Sequence, residues 1–481
     1  MLDLNQIHLS ADGTQPRFRQ LYQQLRDQIL TGVLQAGTRL PSSRDLAKAL
    51  GVSRNTVLQA FEQLLAEGFV SGKTGAGTFV QAQPSQVLQQ ANQPGQSQAA
   101  PGLSARGERL TQVDRGNPAR VIAPLFSVGM PALDLFPWLE WRRLMNYQWQ
   151  RGAQLAGYGD PQGYRPLREA LATYLRDSRG VRCEADQILI TAGAQQGIEL
   201  VARLCLNPGD PVWMEDPGYI GALGGLRTAE LTLVPRTLDN EGLCLEESDT
   251  PPGLIYLTPS HQYPTGVTLS LNRRQQLIDY ARRHGCWVLE DDYDSEFRYD
   301  SRPLASLQGI EGGQNVIYVG TLSKVMFPAL RLGYLVLPKS LVAPFCRYRA
   351  LVDYHPPLHA QAATAAFIEE GLLASHIRKM RHCYQRRRDF LWQHLADRMG
   401  AAMPPRPQAG MHLCLPIQGD DQALALSANQ HRMNIRPLSS YCLNAPDRGL
   451  LLGYAGYSEE TMAAGLERLW PLLEPALKTS L

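Results

Sequence analysis

The apolar positions of the chain follow two different periods, one in the first 80 residues and another after residue 120. In the first part they recur every three to four positions, as on the buried face of a helix. This spacing predicts three helices, over 17–31, 42–50 and 53–67. Residues 68–80 alternate between apolar and polar and turn on glycines, which is typical of a β-hairpin. Helix, helix–turn–helix and hairpin is the order of elements in a winged helix.

After residue 120, short and continuous apolar runs alternate with helical stretches. The predicted strands are 188–191, 211–214, 254–257, 286–289, 316–319 and 333–337. Continuous apolar strands separated by helices indicate a mostly parallel sheet that is covered on both faces, which is an α/β fold. Ligands of such sheets bind at the carboxyl ends of the strands. The polar motifs of this chain fall there repeatedly.

A polar segment separates the two patterns. Residues 81–98 contain eight Gln and only two large aliphatic residues, Val87 and Leu88. Such a segment buries too little apolar area to offset the entropy lost on ordering, so it predicts a linker. As a random coil, residues 81–120 would reach roughly 30–40 Å. We therefore expect one domain over 1–80, a flexible linker over 81–120 and a second domain over 121–481.

Composition narrows the function classes only slightly. The net charge of +2 over 481 residues is too small to indicate a polyanionic partner, so nucleic-acid binding must rest on local features. The eight cysteines form no C-x-x-C pair, which predicts scattered thiols in a reducing compartment and no metal site. No apolar run approaches 18 residues and the amino terminus is unlike a signal peptide. We expect a cytoplasmic protein with no membrane partner.

Lys324 is the most informative residue for chemistry. It follows a predicted strand and two hydroxyl side chains, Thr321 and Ser323, and precedes Arg331 by seven residues. An amine can form an imine with a phosphorylated aldehyde, while hydroxyls and a guanidinium hold its phosphate. This run resembles the cofactor-lysine motif of fold-type I aminotransferases, and the resemblance implies pyridoxal phosphate (PLP) as the cofactor.

Two further motifs precede Lys324 in the order of that family. Gly193-Ala194-Gln195 follows a strand and opens a helix, so its free backbone N–H groups can bind a phosphate. By itself such a turn more often serves strand–helix packing. Tyr219 follows the next strand and looks like the residue that stacks on the pyridine ring, although alone it could equally be a core tyrosine.

An acidic run after the strand 286–289 completes the motif order. A buried carboxylate must pair with the protonated pyridine nitrogen, and the resemblance assigns this role to Asp291. It also places Tyr293 beside the ring hydroxyl. Solvent exposure of the run is the alternative, and it suits Asp294 and Glu296 better. Tyr158 resembles the tyrosine that reaches the phosphate of a neighbouring subunit, which implies a dimer.

The chain departs from the aminotransferase pattern at two positions. The asparagine that normally contacts the ring hydroxyl is replaced by Tyr263, although His261 or Gln262 can substitute for it. The arginine that normally holds the substrate carboxylate is replaced by Leu451. Two arginines nearby in the sequence are alternatives for this role, Arg436 and Arg448. Without a bidentate carboxylate clamp, turnover of amino acids should be poor.

The first 80 residues resemble a GntR-type winged helix. Ser42 or Ser43 is the expected cap of the second helix and Ser53 that of the third. Helix starts contact phosphates, and the first residues of a recognition helix reach base edges in the major groove. The resemblance implies DNA contacts by Arg39, Ser43, Arg44, Arg54, Asn55, Thr56 and, in the hairpin, Lys73. A protein-binding winged helix with surface arginines is the alternative.

Together the two resemblances are those of MocR-type regulators, in which a winged helix precedes an aminotransferase-like domain. That family implies a head-to-tail homodimer that binds a double-stranded DNA operator and senses PLP or a small amine effector. Its genes commonly belong to vitamin B6 or amino-compound metabolism. A working aminotransferase with a DNA-binding appendage is the competing interpretation, and residual activity stays open. The basic run 376–388 predicts the exposed face of a long helix, with a second DNA surface as the alternative.

Overall fold

The computed structural model describes residues 7–10, 15–73, 77–82, 102–111, 124–246, 250–300, 304–444 and 447–477, without the side chains of Lys73 and Arg109. These residues form two compact units, Met1–Leu103 and Ser104–Leu481. No helix in the described ranges is both long enough and apolar enough to cross a membrane.

The amino-terminal unit contains the predicted three helices and hairpin. Its elements are α1 (Arg17–Leu30), α2 (Ser43–Leu50), α3 (Arg54–Ala66), β1 (Val70–Lys73) and β2 (Gly77–Val80). The side chains of Ser42 and Ser53 accept hydrogen bonds from the first turns of α2 and α3, so Ser42 is the cap of α2. The helices enclose a core that includes Leu21, Leu25, Leu46, Val57, Phe61 and Leu64.

The segment before α2 extends the hairpin. Gly37 N donates to Val80 O over 2.8 Å, and Leu40 N donates to Thr78 O over 2.9 Å. Arg39 lies opposite Phe79 in this pairing, and a Cβ atom at Gly77 would stand only 2.9 Å from Arg39 Nε. The absence of a side chain at Gly77 therefore allows the Arg39 guanidinium to cross the hairpin.

The second unit is built on an eight-stranded sheet. Its strands are β3 (Ile188–Thr191), β4 (Pro211–Asp216), β5 (Thr232–Asp239), β6 (Gly242–Leu243), β7 (Leu254–Leu257), β8 (Trp287–Asp292), β9 (Val316–Thr321) and β10 (Gly333–Val336). They lie in the order β3-β10-β9-β8-β7-β4-β5-β6. Strands β5, β4, β7, β8 and β9 are parallel, whereas β10 is antiparallel to both of its neighbours. All six predicted strands are present in this mostly parallel sheet.

Helices cover both faces of this sheet, and others pack elsewhere in the unit. They are α4 (Ala105–Thr111), α5 (Trp138–Gln150), α6 (Arg165–Arg179), α7 (Ala194–Cys205), α8 (Ile220–Thr228), α9 (Leu271–His284), α10 (Leu307–Glu311), α11 (Lys339–Val352), α12 (Leu358–Glu369), α13 (Leu372–Met399), α14 (Asp421–Gln430) and α15 (Glu459–Leu477). Strand residues such as Ile190 and Leu289 are fully buried on opposite sides of the sheet, in separate apolar clusters. The prediction of a sheet covered on both faces is confirmed.

A second, three-stranded antiparallel sheet lies in the carboxyl-terminal part. It contains β11 (His412–Pro416), β12 (Arg436–Pro437) and β13 (Gly449–Gly453), with β13 in the centre. Leu451 lies opposite Cys414 on one side and opposite Arg436 on the other. This register brings together residues that are far apart in the sequence.

One segment differs from the expected random coil. Residues 81–120 were expected to be irregular, but α4 forms within them, and Arg106 Nε lies 2.7 Å from Glu230 Oε1. Ser104 Oγ accepts a hydrogen bond from Gly107 N and so supports the first turn. Residues 81–120 are therefore not one random coil, and the reach of roughly 30–40 Å estimated for a coil of that length is too long for this segment.

Candidate cofactor site and DNA-binding surface

The predicted cofactor motifs meet at one cavity of about 170 Å³. The carboxyl ends of the parallel strands lie at this edge of the sheet, where ligands of such sheets bind. Its walls are formed by Val128, Gly129, Gly193, Ala194, Gln195, Tyr219, Thr258, Tyr263, Asp291, Tyr293, Asp294, Thr321, Ser323, Lys324, Arg331, Met411 and His412. Every cofactor residue proposed from the sequence is among them except Tyr158 and the two substitutes for the missing asparagine, His261 and Gln262.

Lys324 points its amine into this cavity. Its Nζ atom donates to Gly129 O over 3.0 Å, and a Cβ atom at Gly129 would stand 2.4 Å from the same nitrogen. Only a glycine therefore leaves room for the amine. Burial lowers the pKa of the Lys324 amine, while the carboxylates of Asp294 and Asp291 oppose that shift. A lowered pKa increases the neutral, nucleophilic fraction of the amine.

Asp291 lines the cavity, and one of its carboxylate oxygens has no hydrogen-bond partner. Its Oδ2 atom accepts from the Tyr256 hydroxyl over 2.7 Å, whereas its buried Oδ1 atom has no partner. Burial raises the pKa of Asp291 to about 7. A buried carboxylate with a free oxygen requires a donor or a positive charge, and a protonated pyridine nitrogen supplies both.

The adjacent Asp292 binds other residues and does not face the cavity. Successive side chains of a strand point to opposite faces, and Asp292 faces away from the cavity. Its Oδ2 atom accepts from Arg179 Nε over 2.8 Å and from the Tyr318 hydroxyl over 2.6 Å. Glu290 lies on that same face and accepts from the backbone N–H groups of Leu307 and Gln308 at the start of α10. Asp291 is thus the carboxylate of this run that is available to a cofactor ring.

The groups suited to a phosphate lie at one corner of the cavity. Gly193, with a φ of 92°, precedes α7, whose first N–H groups have no partners within the helix. The Arg331 guanidinium donates to Ala192 O over 2.9 Å and would lie 3.3 Å from a Cβ atom at Gly193. Ser323 and Thr321 stand beside it, and Ser323 N donates to Thr321 Oγ1 over 3.2 Å. A helix start, hydroxyls and a guanidinium are phosphate-binding groups.

Gln195 contributes to this corner through its backbone. Its side-chain Nε2 atom donates to Gly221 O over 2.7 Å, and so ties α7 to the start of α8. This bond also fixes the turn that carries Tyr219. The side chain of Gln195 is therefore a positioning group, and a phosphate contact by the N–H groups of Ala194 and Gln195 stays a prediction.

Tyrosines form the wall around the expected ring position. The Tyr263 ring is the centre of this cluster, with ring centroids 5.6 Å from Tyr219 and from Tyr293, 5.5 Å from Tyr441 and 5.3 Å from His412. Burial raises the pKa of Tyr263 and of Tyr293, so both phenols remain protonated donors. An aromatic side chain thus occupies the place of the asparagine that is missing from the motif.

Asp294 is buried and Glu296 is half-buried, contrary to the expectation that they face solvent. Both Asp294 oxygens lie within 3.2 Å of His261 Nδ1, and the Tyr293 hydroxyl lies 2.9 Å from the same nitrogen. Glu296 Oε1 accepts from the Tyr174 hydroxyl over 2.7 Å. Each acid can be withdrawn from solvent because a partner from a distant segment satisfies it.

The two proposed substitutes for the missing asparagine have different roles. His261 acts through Tyr293, whose hydroxyl it contacts. Gln262 is fully used within the protein, because its amide donates to Pro217 O and Tyr263 O and accepts from Thr265 N. Gln262 therefore shapes the loop and does not reach the cavity.

Neither Leu451 nor Arg448 supplies a charge to the cavity. Leu451 is fully buried and apolar. Arg448 is exposed, and its guanidinium donates to the carbonyl of Gly419. Arg436 lies opposite Leu451 across β12 and β13, on the same face of the small sheet.

Tyr158 does not reach the cavity of its own chain. Its side chain is 91% exposed, and its ring lies 5.3 Å from that of Tyr354. The position is compatible with the expectation that Tyr158 serves a neighbouring subunit, which stays a prediction.

The predicted DNA-binding residues gather at the starts of α2 and α3 and on the hairpin. Arg39, Arg44, Arg54 and Asn55 are exposed, and Arg54 Nε donates to Ser43 Oγ over 3.3 Å. This bond brings the two helix starts together. Thr56 is half-buried, and its hydroxyl lies 2.9 Å from the cap Ser53. The remaining predicted contact, the Lys73 side chain, lies outside the described residues.

Several cavity residues were absent from the sequence prediction. Gly129, Thr258, Met411 and His412 come from segments without a polar motif. Thr258 Oγ1 donates to Glu215 Oε2 over 2.7 Å and accepts from Tyr263 N over 2.9 Å, so it fixes the Tyr263 loop. Of these four residues, only Gly129 could have been inferred from its residue type, since a glycine is required where a lysine amine approaches the backbone.

Comparison with known proteins agrees with this architecture. Residues 18–80 match the gntR family of bacterial regulatory proteins, and residues 126–469 match the aminotransferase class I and II family. The chain is 39% identical over 472 residues to the probable rhizopine catabolism regulatory protein MocR of Rhizobium meliloti, covering 96% of this chain and 94% of that protein. It is 28% identical to the pyridoxine biosynthesis transcriptional regulator PdxR of Corynebacterium glutamicum, covering 92% and 93% of the two chains.

The structural likeness lies in the larger unit. The kynurenine aminotransferase of Pyrococcus horikoshii, solved with PMP, has a TM-score of 0.67 and 26% identity, covering 78% of this chain and 95% of that one. LysN, an α-aminoadipate aminotransferase of Thermus thermophilus solved with N-(5'-phosphopyridoxyl)-L-leucine, has the same TM-score and identity, covering 78% and 96%. Both neighbours hold a derivative of PLP, and the free Asp291 oxygen and the phosphate corner fit that cofactor.

Proposed function

Because this chain belongs to the MocR-type regulators, which join a gntR-family winged helix to an aminotransferase domain, we propose that its Lys324 cavity reports PLP or a small amine to the winged helix. The protein is a DNA-binding transcription regulator with a PLP-binding domain. We place its target genes in vitamin B6 or amino-compound metabolism, because relatives are named for pyridoxine biosynthesis and rhizopine catabolism. We also propose that it acts in the cytoplasm, because a regulator of the bacterial gntR family meets its DNA there.

The unpartnered Oδ1 atom of Asp291 is the observation that carries the proposal. A buried carboxylate with one satisfied oxygen and one free oxygen is costly unless a ligand pairs with it. When bound, PLP supplies an aldehyde that condenses with amines and a pyridine ring that withdraws electrons. Asp291 would hold the proton on the ring nitrogen, and Lys324 would offer its amine to the aldehyde carbon.

The other cavity residues would bind and orient. Arg331, Ser323 and the start of α7 would hold the phosphate, and Tyr219 would cover one face of the ring. Tyr293, fixed by His261, would donate to the ring hydroxyl. In these assignments the buried His261–Asp294 pair serves as support for Tyr293.

The replacement of the carboxylate arginine favours a sensor over a metabolic enzyme. Leu451 offers no hydrogen bond, so a bound amino acid would lack the bidentate contact that orients it for reaction. The competing function, an aminotransferase with a DNA-binding appendage, is favoured by the retained Lys324 and Asp291. Steady-state turnover with a panel of amino donors and 2-oxoglutarate separates the two, because rates comparable to those of metabolic aminotransferases would support the enzyme.

We further propose a head-to-tail homodimer. Tyr158 is almost fully exposed, and Trp149 and Leu351 expose 61% and 85% of their surfaces in the larger unit. We propose that these side chains lie in the contact between subunits, where a second chain would cover them. Two chains would also present two winged helices to the two halves of a symmetric operator. Sedimentation of the full chain tests the stoichiometry.

DNA selection tests the proposed function directly. Genomic fragments retained by the purified full chain would be sequenced with and without added PLP, alongside Lys324→Ala. We expect one enriched sequence whose retention changes with PLP in the wild-type chain and does not change in Lys324→Ala. Retention that is identical in all four samples would contradict a cofactor-dependent regulator.

A further inference from the structure

A series of hydrogen bonds begins at the phosphate corner of the cavity. The Arg331 guanidinium, which lines the cavity, donates to Ala192 O over 2.9 Å. Ala192 N donates to Gln196 Oε1 over 2.7 Å. Gln196 is the third residue of α7, and a glutamine at that position can reach back to the backbone before the first turn of its helix. The Gln196 side chain therefore holds the backbone turn that forms this corner.

The other end of the Gln196 side chain leads away from the cavity. Its Nε2 atom donates to Asp353 Oδ2, in the segment between α11 and α12. Asp353 Oδ1 accepts from Arg349 Nε over 2.6 Å, and the fully buried Arg349 also donates to Ile190 O over 2.9 Å. Asp353 is thus tied to strand β3 and to helix α7, the two elements that the turn at the phosphate corner connects.

Asp353 begins a segment that contacts residues 157–159. Tyr354 follows it with a φ of 63°, and a bulky residue stays in this left-handed region only where neighbouring contacts hold its backbone. The ring centroids of Tyr354 and Tyr158 are 5.3 Å apart. His355 Nε2 accepts from Gly159 N over 2.8 Å. A shift of Asp353 would therefore reach segment 157–159 through two contacts.

These contacts end at an exposed and apolar part of the larger unit. Tyr158 exposes 91% of its surface, and Leu351 and Val352, the last two residues of α11, expose 85% and 63%. In a two-fold dimer, each chain contributes the same patch to the contact. In the homodimer proposed above, segment 157–159 of each chain would lie against the other chain, and each would affect the conformation of its counterpart.

We propose that Gln196 and Asp353 transmit the occupancy of the phosphate corner to segment 157–159, so that the two PLP sites of the homodimer bind with positive cooperativity. A phosphate at the start of α7 would fix the turn that Gln196 holds. Through Asp353, it would then fix segment 157–159 against the second chain, and the same contacts in reverse order would preorganise the second site. This proposal rests on the proposed homodimer and on PLP as the ligand of the cavity. It makes Gln196 a positioning residue.

Titration of the full-length dimer with PLP measures the coupling. PLP is added to the cofactor-free chain at a concentration at which sedimentation shows a dimer. Binding is followed by visible absorption and, independently, by calorimetry. A typical coupling of about 5- to 150-fold between two sites corresponds to a Hill coefficient of about 1.4–1.8, which is the result expected for the wild-type chain.

An exchange of donor and acceptor assigns the coupling to one hydrogen bond. Gln196→Glu retains a side-chain oxygen for Ala192 N but places a carboxylate opposite Asp353, so the Hill coefficient should fall to about one. Adding Asp353→Asn to this variant restores a hydrogen bond of opposite direction and the wild-type net charge, and should restore cooperativity. Glu199→Gln is the matched control on the same helix, where the side chain pairs with Arg203, and should leave the coefficient unchanged.

Two results would overturn the proposal. One is a Hill coefficient of one for the wild-type dimer, and the other is cooperativity that persists in Gln196→Glu. If that variant does not fold, Asp353→Asn alone gives the same test, because Arg349 and Gln196 then compete for a single oxygen. Failure of the proposed function would be seen elsewhere, as a chain that sediments as a monomer, lacks cofactor absorption or retains DNA independently of PLP. The two failures are therefore distinguishable in the same preparations.

Discussion

Replacing Asp291 with asparagine should weaken PLP binding and at the same time change how the cofactor-free protein responds to pH. In the wild type, one carboxylate oxygen is satisfied by Tyr256 and the other is free. Asparagine has a single carbonyl oxygen, so the Tyr256 hydroxyl and a ring nitrogen would compete for it. The variant also removes the negative charge that keeps the ring nitrogen protonated.

The loss of affinity follows from the lost contact. A buried, charge-assisted hydrogen bond contributes about 1.5–3 kcal/mol, which corresponds to a rise in Kd of about 10- to 150-fold. Tyr256→Phe is the control, because it removes a neutral partner and leaves the carboxylate in place. That control should cost about 1 kcal/mol, or less than about tenfold in Kd.

The pH response follows from the raised pKa. Burial moves the pKa of Asp291 from 3.8 to about 7, so between these values the folded, cofactor-free protein holds one proton that the unfolded chain has released. Its stability therefore falls as pH rises through this window, by about 1.4 kcal/mol per pH unit for this proton. Asp291→Asn should remove that contribution. Glu215 and Glu290, whose pKa values burial also raises to about 7, should keep theirs.

Both effects are measured with the same protein. PLP is titrated into the cofactor-free chain and followed by visible absorption, and urea unfolding is recorded at pH 5, 6 and 7. Wild-type PLP affinity in Asp291→Asn would refute the assignment of Asp291. Asp292 could not take over this role, because it faces away from the cavity and accepts hydrogen bonds from Arg179 and Tyr318.

Three further changes test other parts of the molecule. Lys324→Ala should abolish the visible cofactor band and leave the fold intact, and a band that persists unchanged would contradict the role of this lysine. Gly129→Ala should slow the appearance of that band on adding PLP, because its Cβ atom would stand 2.4 Å from the lysine nitrogen. Gly209→Ala, at a φ of 90° with open space around it, should leave the rate unchanged. Arg54→Ala should cost about 1–3 kcal/mol of specific DNA binding and relax one base preference, whereas Arg44→Ala should weaken all sequences alike and reduce the salt slope by about one. Competition assays at two salt concentrations would expose reversed roles.

Local sequence patterns were sufficient to predict those elements whose structure is determined by residues close to one another in the sequence. The serine caps of α2 and α3, the fully buried strands β3 and β7, and the buried part of β9 follow from composition within a few residues. Strand β5 was not predicted, because Pro235 interrupts it and its residues are mostly half-buried. A strand of this kind resembles a loop until its pairing with β4 is known.

Long-range pairing determined the rest of the site. The burial of Asp294 depends on His261, which lies 33 residues earlier in the chain. The position of Arg436 depends on its register with Leu451, and no local pattern encodes that register. The order of motifs therefore predicted many of the residues that line the cavity, but it could not predict which polar atoms would be left without partners.

The acidic end of β8 has a consequence for mutation by insertion or deletion. Glu290 and Asp292 meet the start of α10 and Arg179 on one side of the sheet, while Asp291 meets the cavity on the other. A change of one residue in the length of this strand would exchange the two sides. Asp292 would then turn away from Arg179, and both Asp292 and Glu290 would face the cavity, where Asp291 now stands alone among the three. Buried charges would be left uncompensated. Codon changes at the apolar positions of β8 should thus survive selection far more often than any shift in its length.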